Sequence, residues 1–99
     1  MLAIENYRQD IARICLDLRV KRLELVGSAA REDFQPESSD IDVLVEFDGD
    51  DKLFERYFSL KSQLEKLFGR HVDVIQEKAV KNPFVKNSLH RNRISVYGS

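Results

Sequence analysis

No segment constrains the architecture of this chain more than Ser39-Asp40-Ile41-Asp42-Val43-Leu44-Val45-Glu46-Phe47. Side chains alternate across a strand with a period of two, so Ile41, Val43, Val45 and Phe47 share one face. Asp40, Asp42, Leu44 and Glu46 share the other. The wholly apolar first face packs inward, and it fixes two carboxylates side by side on the second. Such neighbours repel unless something cationic joins them. A hard divalent ion such as Mg²⁺, shared with substrate phosphates, is the natural partner. Alone, an Asp-x-Asp is more often an acidic strand face turned to solvent than a metal site.

The flanking segments extend the pattern. Upstream, Ile4 to Leu18 carries apolar residues at helical spacing, with Ile4, Tyr7, Ile11, Ile14, Cys15 and Leu18 on one stripe. Val20 to Val26 reads as a strand. Gly27-Ser28 breaks it, a short helix is expected to begin at Ala29-Ala30-Arg31-Glu32, and Asp33 to Ser39 is a loop around Pro36. Downstream, Asp48-Gly49-Asp50-Asp51 is a turn whose last residue is expected to cap a helix over Lys52 to Phe68. Leu53, Tyr57, Leu60, Leu64 and Leu67 form its inner stripe, and Gly69 ends it. His71 to Gln76 is a third strand, with Val72 and Val74 opposite Asp73 and Ile75. A further helix is expected from Asn82-Pro83 to Asn87 or His90, then a short strand at Ile94-Ser95-Val96-Tyr97. Strands separated by helices predict an α/β (α+β) domain, a small mixed sheet with flanking helices.

The composition narrows the classes. A chain of 99 residues suffices for one domain, read here as residues 1–99. Its net charge of −1 lacks the basic excess of a protein that grips nucleic acid directly. A lone cysteine excludes an internal disulfide and a Cys-rich zinc site, and its place on the helical stripe predicts a buried thiol. No apolar run approaches the roughly 20 residues of a membrane span, and the N-terminus is no secretory signal. A cytoplasmic location follows as the expectation. Phe54 and Phe58 widen the apolar face of the second helix, and Phe84, Val85 and Leu89 form another apolar cluster; core is the favoured reading over interface. His71 and His90 read as surface or strand-flanking residues, since neither stands at metal-ligand spacing from another His or Cys.

Three further signals accompany the Asp pair. Gly27-Ser28 lies between a strand and a helix start, where free amides and a hydroxyl suit a phosphate. It is equally an ordinary turn. Arg31 follows one turn later, placed either to meet a phosphate bidentately or to pair with Asp33 or Glu37. Asp73 interrupts an apolar strand. Set beside the Asp40 strand, it brings a third carboxylate to the patch. Acids on neighbouring strands suit a two-metal site, with ions roughly 3.5–4 Å apart, for in-line displacement at phosphorus.

Together Gly27-Ser28, Arg31, Ser39-Asp40, Asp42 and Asp73 resemble the nucleotidyltransferase superfamily of DNA polymerase beta. The run Gly27-Ser28-Ala29-Ala30-Arg31, followed by Ser39 to Phe47, is similar to its minimal branch, the MNT proteins. Val72-Asp73-Val74-Ile75 and the tail Ile94 to Gly98 match in place. Glu32 departs from the family, which commonly has a small residue there.

The resemblance implies the polymerase beta-like fold and a site in which Gly27 and Ser28 grip the triphosphate of ATP. Arg31 and Ser39 contribute to phosphate binding, and Asp40, Asp42 and Asp73 are catalytic residues that ligate two Mg²⁺ ions. It further implies the antitoxin half of a HEPN/MNT pair, moving AMP from ATP to a tyrosine of a HEPN-type toxin. Two alternatives stay open. One is nucleotidylation of a small hydroxylated molecule held by a separate substrate-binding subunit. The other is a non-catalytic antitoxin that silences its toxin by binding.

Overall fold

The strand built on the Ile41 segment lies inside a four-stranded sheet, as its two-faced pattern requires. The computed structural model describes residues 4–30, 40–83 and 93–98. The strands are β1 (Val20–Val26), β2 (Ile41–Phe47), β3 (Val72–Gln76) and β4 (Ile94–Tyr97), in spatial order β3-β2-β1-β4. β1 is antiparallel to β2 and to β4. β2 and β3 are parallel, which demands a crossover, and α2 (Leu53–Phe68) supplies it. The mixed α/β sheet expected from the sequence is the one found.

Helix α1 (Arg8–Asp17) lies over β1 and β4, and α2 lies over β3. Ile11, Ile14 and Cys15 of α1 and Leu60 and Leu64 of α2 are buried against Leu23, Leu25, Val43, Val45, Val72, Val74 and Val96. The first turn differs from the expected continuous helix: Ile4–Tyr7 is a 3₁₀ turn leading into α1. The helix expected beyond Pro83, with Phe84, Val85, Leu89 and His90, lies outside the described residues.

Two readings of α2 are corrected. Asp51 does not cap it. Lys52, at φ 53°, precedes the first turn with no side-chain cap, because the Asp51 carboxylate is taken by Arg19 at 2.6 Å. Phe54 and Phe58 are not core. Burying Leu60 and Leu64 turns the adjacent ridge outward, where these two rings meet at a tilt of 55° with centroids 4.7 Å apart, Phe54 being 76% exposed. Gly69 ends the helix as expected, at φ 69°, its N–H donating to the Glu65 carbonyl at 2.8 Å.

Arg56 is a finding that hydrophobic patterning conceals. It is buried, and its guanidinium donates to the carbonyls of Leu18, Arg19, Asp48 and Asp51 at 2.7–2.9 Å. It also lies 4.8 Å from the centre of the Phe47 ring. One side chain thereby ties the α1–β1 turn to the β2–α2 turn. The planar fork with five donors is what lets an arginine do this.

Candidate active site

β1 ends at Val26, directly opposite Asp42 of β2. The chain must leave the strand there without striking the carboxylate beside it. Gly27 does so at φ +64°, in the left-handed region that a residue without Cβ adopts readily. A Cβ at this position would lie 2.7 Å from Asp42 Oδ2. The strand-to-helix glycine is thus fitted to the carboxylate, and the turn runs on as the short 3₁₀ segment Gly27–Ala30.

Parallel pairing brings the third acid in. Asp42 and Asp73 are direct register partners, and Ile41 and Val72 pair one step earlier. The Ile41 N–H donates to the His71 carbonyl at 3.2 Å, so Asp40 and His71 face each other at the mouth of the two strands. Four polar side chains therefore form a square, with Asp40 just before β2 and Asp42 on it, His71 just before β3 and Asp73 on it. Ligating atoms of Asp40, His71 and Asp73 all lie within 4.8 Å of one another. His71 Nε2 is 2.8 Å from Asp73 Oδ1, and its Nδ1 is 3.1 Å from Glu65 Oε2 of α2.

Electrostatics follows from this crowding. The Asp42 carboxyl is held above the usual carboxylate range, first by its partial burial, then by the charge of Asp73 and a hydrogen bond with it, and by Asp40. His71 offsets part of the effect. Glu65 is shifted the opposite way, below its ordinary value, mainly because it accepts the Val72 N–H at 3.0 Å and also faces Lys61. Oxygen donors massed at the end of two strands, one half-buried among negative neighbours, are a donor set suited to a hard divalent cation.

Of the residues singled out from the sequence, Gly27, Asp40, Asp42 and Asp73 come together. The side chain of Ser28, and Arg31 and Ser39 entirely, lie outside the described residues. His71 was missed. The signal was available, since a residue two before Asp73 on a strand must share its face. Spacing from another His or Cys says nothing of carboxylates that share a strand face with the ring.

The far end of the same sheet is built differently. Arg22 pairs with Glu46 at 3.0 Å and with Glu77 at 3.4 Å, while Arg93 pairs with Glu24 and with Glu77. A cleft of about 310 Å³ opens there between Phe47, Gly49, Leu53 and Glu77. Five residues along β2, about 17 Å, separate Phe47 from Asp42. The cleft has no residue in common with the carboxylate square.

A four-stranded mixed sheet that gathers this Gly, the Asp-x-Asp and a strand-paired Asp is the arrangement the resemblance to the nucleotidyltransferases implies. The comparisons agree. Residues 8–96 match the family model described as "Nucleotidyltransferase domain". A Methanocaldococcus jannaschii protein named as a candidate protein adenylyltransferase is 44% identical over 79 residues, 79% of this chain and 78% of its own. Another from that organism, named likewise, is 37% identical over 93 residues, 94% of this chain and 97% of its own. Among solved structures, a candidate minimal nucleotidyltransferase superposes with a TM-score of 0.75 at 28% identity, covering 94% of this chain and 95% of that one. A toxin–antitoxin complex with AMP-PNP shares the fold, with a TM-score of 0.69 at 19% identity over 93% of this chain and 73% of that one. The chain belongs to the nucleotidyltransferase domain family. It is an enzyme of that class, similar to the protein adenylyltransferases and to the minimal nucleotidyltransferases.

Proposed function

We propose that this protein transfers AMP from ATP, with Mg²⁺, to a tyrosine hydroxyl of a HEPN-type toxin and so acts as its antitoxin. The observation that carries the reading is the direct pairing of Asp42 with Asp73 across parallel strands, with Asp40 beside them. The relatives named as candidate protein adenylyltransferases support transfer to protein. One fold neighbour is a complex of a tri-AMPylated Shewanella oneidensis HEPN toxin with an MNT antitoxin, which supports the choice of partner.

Asp40, Asp42 and Asp73 would hold the metal. When bound, Mg²⁺ neutralises triphosphate charge and makes an incoming hydroxyl more acidic. The chain's own part is positioning. Gly27 leaves the backbone close enough for phosphates to approach Asp42, while Ser28, Ser39 and Arg31 are assigned to the phosphate oxygens. Asp73, with its side chain 52% exposed, is assigned the hydroxyl proton of the incoming acceptor. The acceptor oxygen bonds to the α-phosphorus, the bond from that phosphorus to the α,β-bridging oxygen breaks, and pyrophosphate leaves. Prepaid orientation and fixed charge are the two sources of rate.

The test mixes the protein with α-labelled ATP, Mg²⁺ and its genomic neighbour. Label is expected on a tyrosine of the neighbour, and an Asp40→Ala/Asp42→Ala variant should transfer none. Absence of label, together with toxin inhibition that survives in the double variant, would replace catalysis with inhibition by binding. Label on a small hydroxylated compound instead would change the acceptor and keep the chemistry.

A further inference from the structure

We infer that His71 is a metal ligand of this site, giving it a nitrogen donor that favours a first-row transition ion such as Mn²⁺ over Mg²⁺. The inference rests on the metal-dependent reading above and adds a residue and an ion preference to it.

Placement is the first ground. Parallel register sets His71 across from Asp40 as it sets Asp73 across from Asp42, so the imidazole is built into the square by the same backbone pairing as the acids. Its Nε2 and Asp73 Oδ1 are 2.8 Å apart. Two ligands at right angles on an ion with bonds of 2.0–2.1 Å stand about 3 Å apart, so this hydrogen-bonded pair needs little movement to bracket an ion. Asp40 closes the third side within 4.8 Å.

The second ground lies behind the ring. Metal-binding histidines characteristically give their other N–H to a carboxylate or carbonyl, which fixes tautomer and orientation. Here Nδ1 is 3.1 Å from Glu65 Oε2. Glu65 is itself pinned, accepting the Val72 N–H at 3.0 Å and pairing with Lys61 at 3.3 Å. Helix α2 therefore holds the imidazole from outside and turns Nε2 toward the acids.

The third ground is donor chemistry. Carboxylates alone suit Mg²⁺ or Mn²⁺, whereas an imidazole adds affinity for transition ions and little for Mg²⁺, which holds its water tightly. Ion preference, measured as a ratio, is therefore where the residue shows itself.

The experiment titrates Mn²⁺ and Mg²⁺ by calorimetry into the wild-type protein, His71→Ala and Asp42→Asn, each with a non-hydrolysable ATP analogue. Pulsed EPR on the Mn²⁺ complexes reads ¹⁴N coupling from a bound imidazole. Mn²⁺ affinity is expected to fall at least about tenfold in His71→Ala, the scale on which metal sites answer to loss of a supporting group, while Mg²⁺ affinity changes far less. The ¹⁴N signal should be present in the wild type and absent from the variant. Equal effects on both ions, or no ¹⁴N coupling in the wild type, overturn the inference and leave the aspartate site intact. Should Asp42→Asn bind both ions like the wild type, the metal reading itself is what fails. His71 is half-exposed, so the alanine variant is expected to fold, and a melting curve checks it.

Discussion

Gly27→Ala, set against a second glycine variant, separates the cost of a backbone conformation from the cost of moving a carboxylate proposed to be catalytic. At φ +64° any L-residue is strained, by about 1–2 kcal/mol. The new Cβ would also sit 2.7 Å from Asp42 Oδ2, and ordinary contact begins at 3.4 Å, so carboxylate or backbone must yield by about 0.7 Å. Asp42 cannot retreat freely, because Asp73 flanks it in register and its strand packs on the core from the other face. Displacements near 1 Å in a preorganised site cost on the order of 10²-fold in rate. Gly69→Ala is the control. Its φ is +69°, yet a Cβ there meets nothing within 4 Å. Gly69→Ala should lose about 1–2 kcal/mol by urea unfolding and Gly27→Ala at least as much, but only Gly27→Ala should lose metal–nucleotide affinity by calorimetry and transfer of label, by tenfold or more. If the two variants bound and turned over alike, the fit of Gly27 to Asp42 would have no functional meaning.

Other variants probe separate parts of the structure. Asp42→Asn removes charge from a half-buried position among acids, so the metal-free protein should gain stability, by at most about 1 kcal/mol after solvent screening, or roughly 4–8 °C by calorimetric melting, while transfer is abolished. A lower melting temperature would show that the acids are not in conflict. Arg56→Met should cost about 3 kcal/mol in urea, since it leaves several carbonyls of two turns without their donor, and a loss under 1 kcal/mol would mean water replaces it freely. Cys15 is fully buried, and burial pushes its thiol up to about 12, so Ellman's reagent at pH 8 should leave the native protein unlabelled and react after unfolding.

Much of this fold could be read before it was seen, and the residues that escaped have a common cause. Alternation along Ile41–Phe47 and Val72–Gln76 reports which face is buried, and burial is what the hydrophobic effect enforces. The strands, the two long helices and the Asp40, Asp42 and Asp73 grouping were legible for that reason. Arg56 was not, because its role depends on carbonyls from two turns that are remote in sequence and adjacent only after folding. Asp51 was misread because a capping preference worth about 1 kcal/mol is easily outcompeted by a nearby arginine. Phe54 and Phe58 were misjudged since a helical stripe says which residues are apolar, and a sheet with only so much width decides which of them it covers.

The same alternation that folds the sheet also places the acids of the candidate site. Strand faces alternate with a period of two, so a one-residue slip between β2 and β3 would put Asp73 into the core and expose Val72 and Val74. The slip is forbidden by the cost of stranding a carboxylate among Leu60, Leu64 and Val43 and of wetting two valines. Hydrophobic burial at Val72 and Val74 therefore holds the Asp42–Asp73 pairing against the repulsion that resists it. Precision at the carboxylates is set by the apolar residues between them, and the acids need only be placed at the alternate positions that burial leaves open.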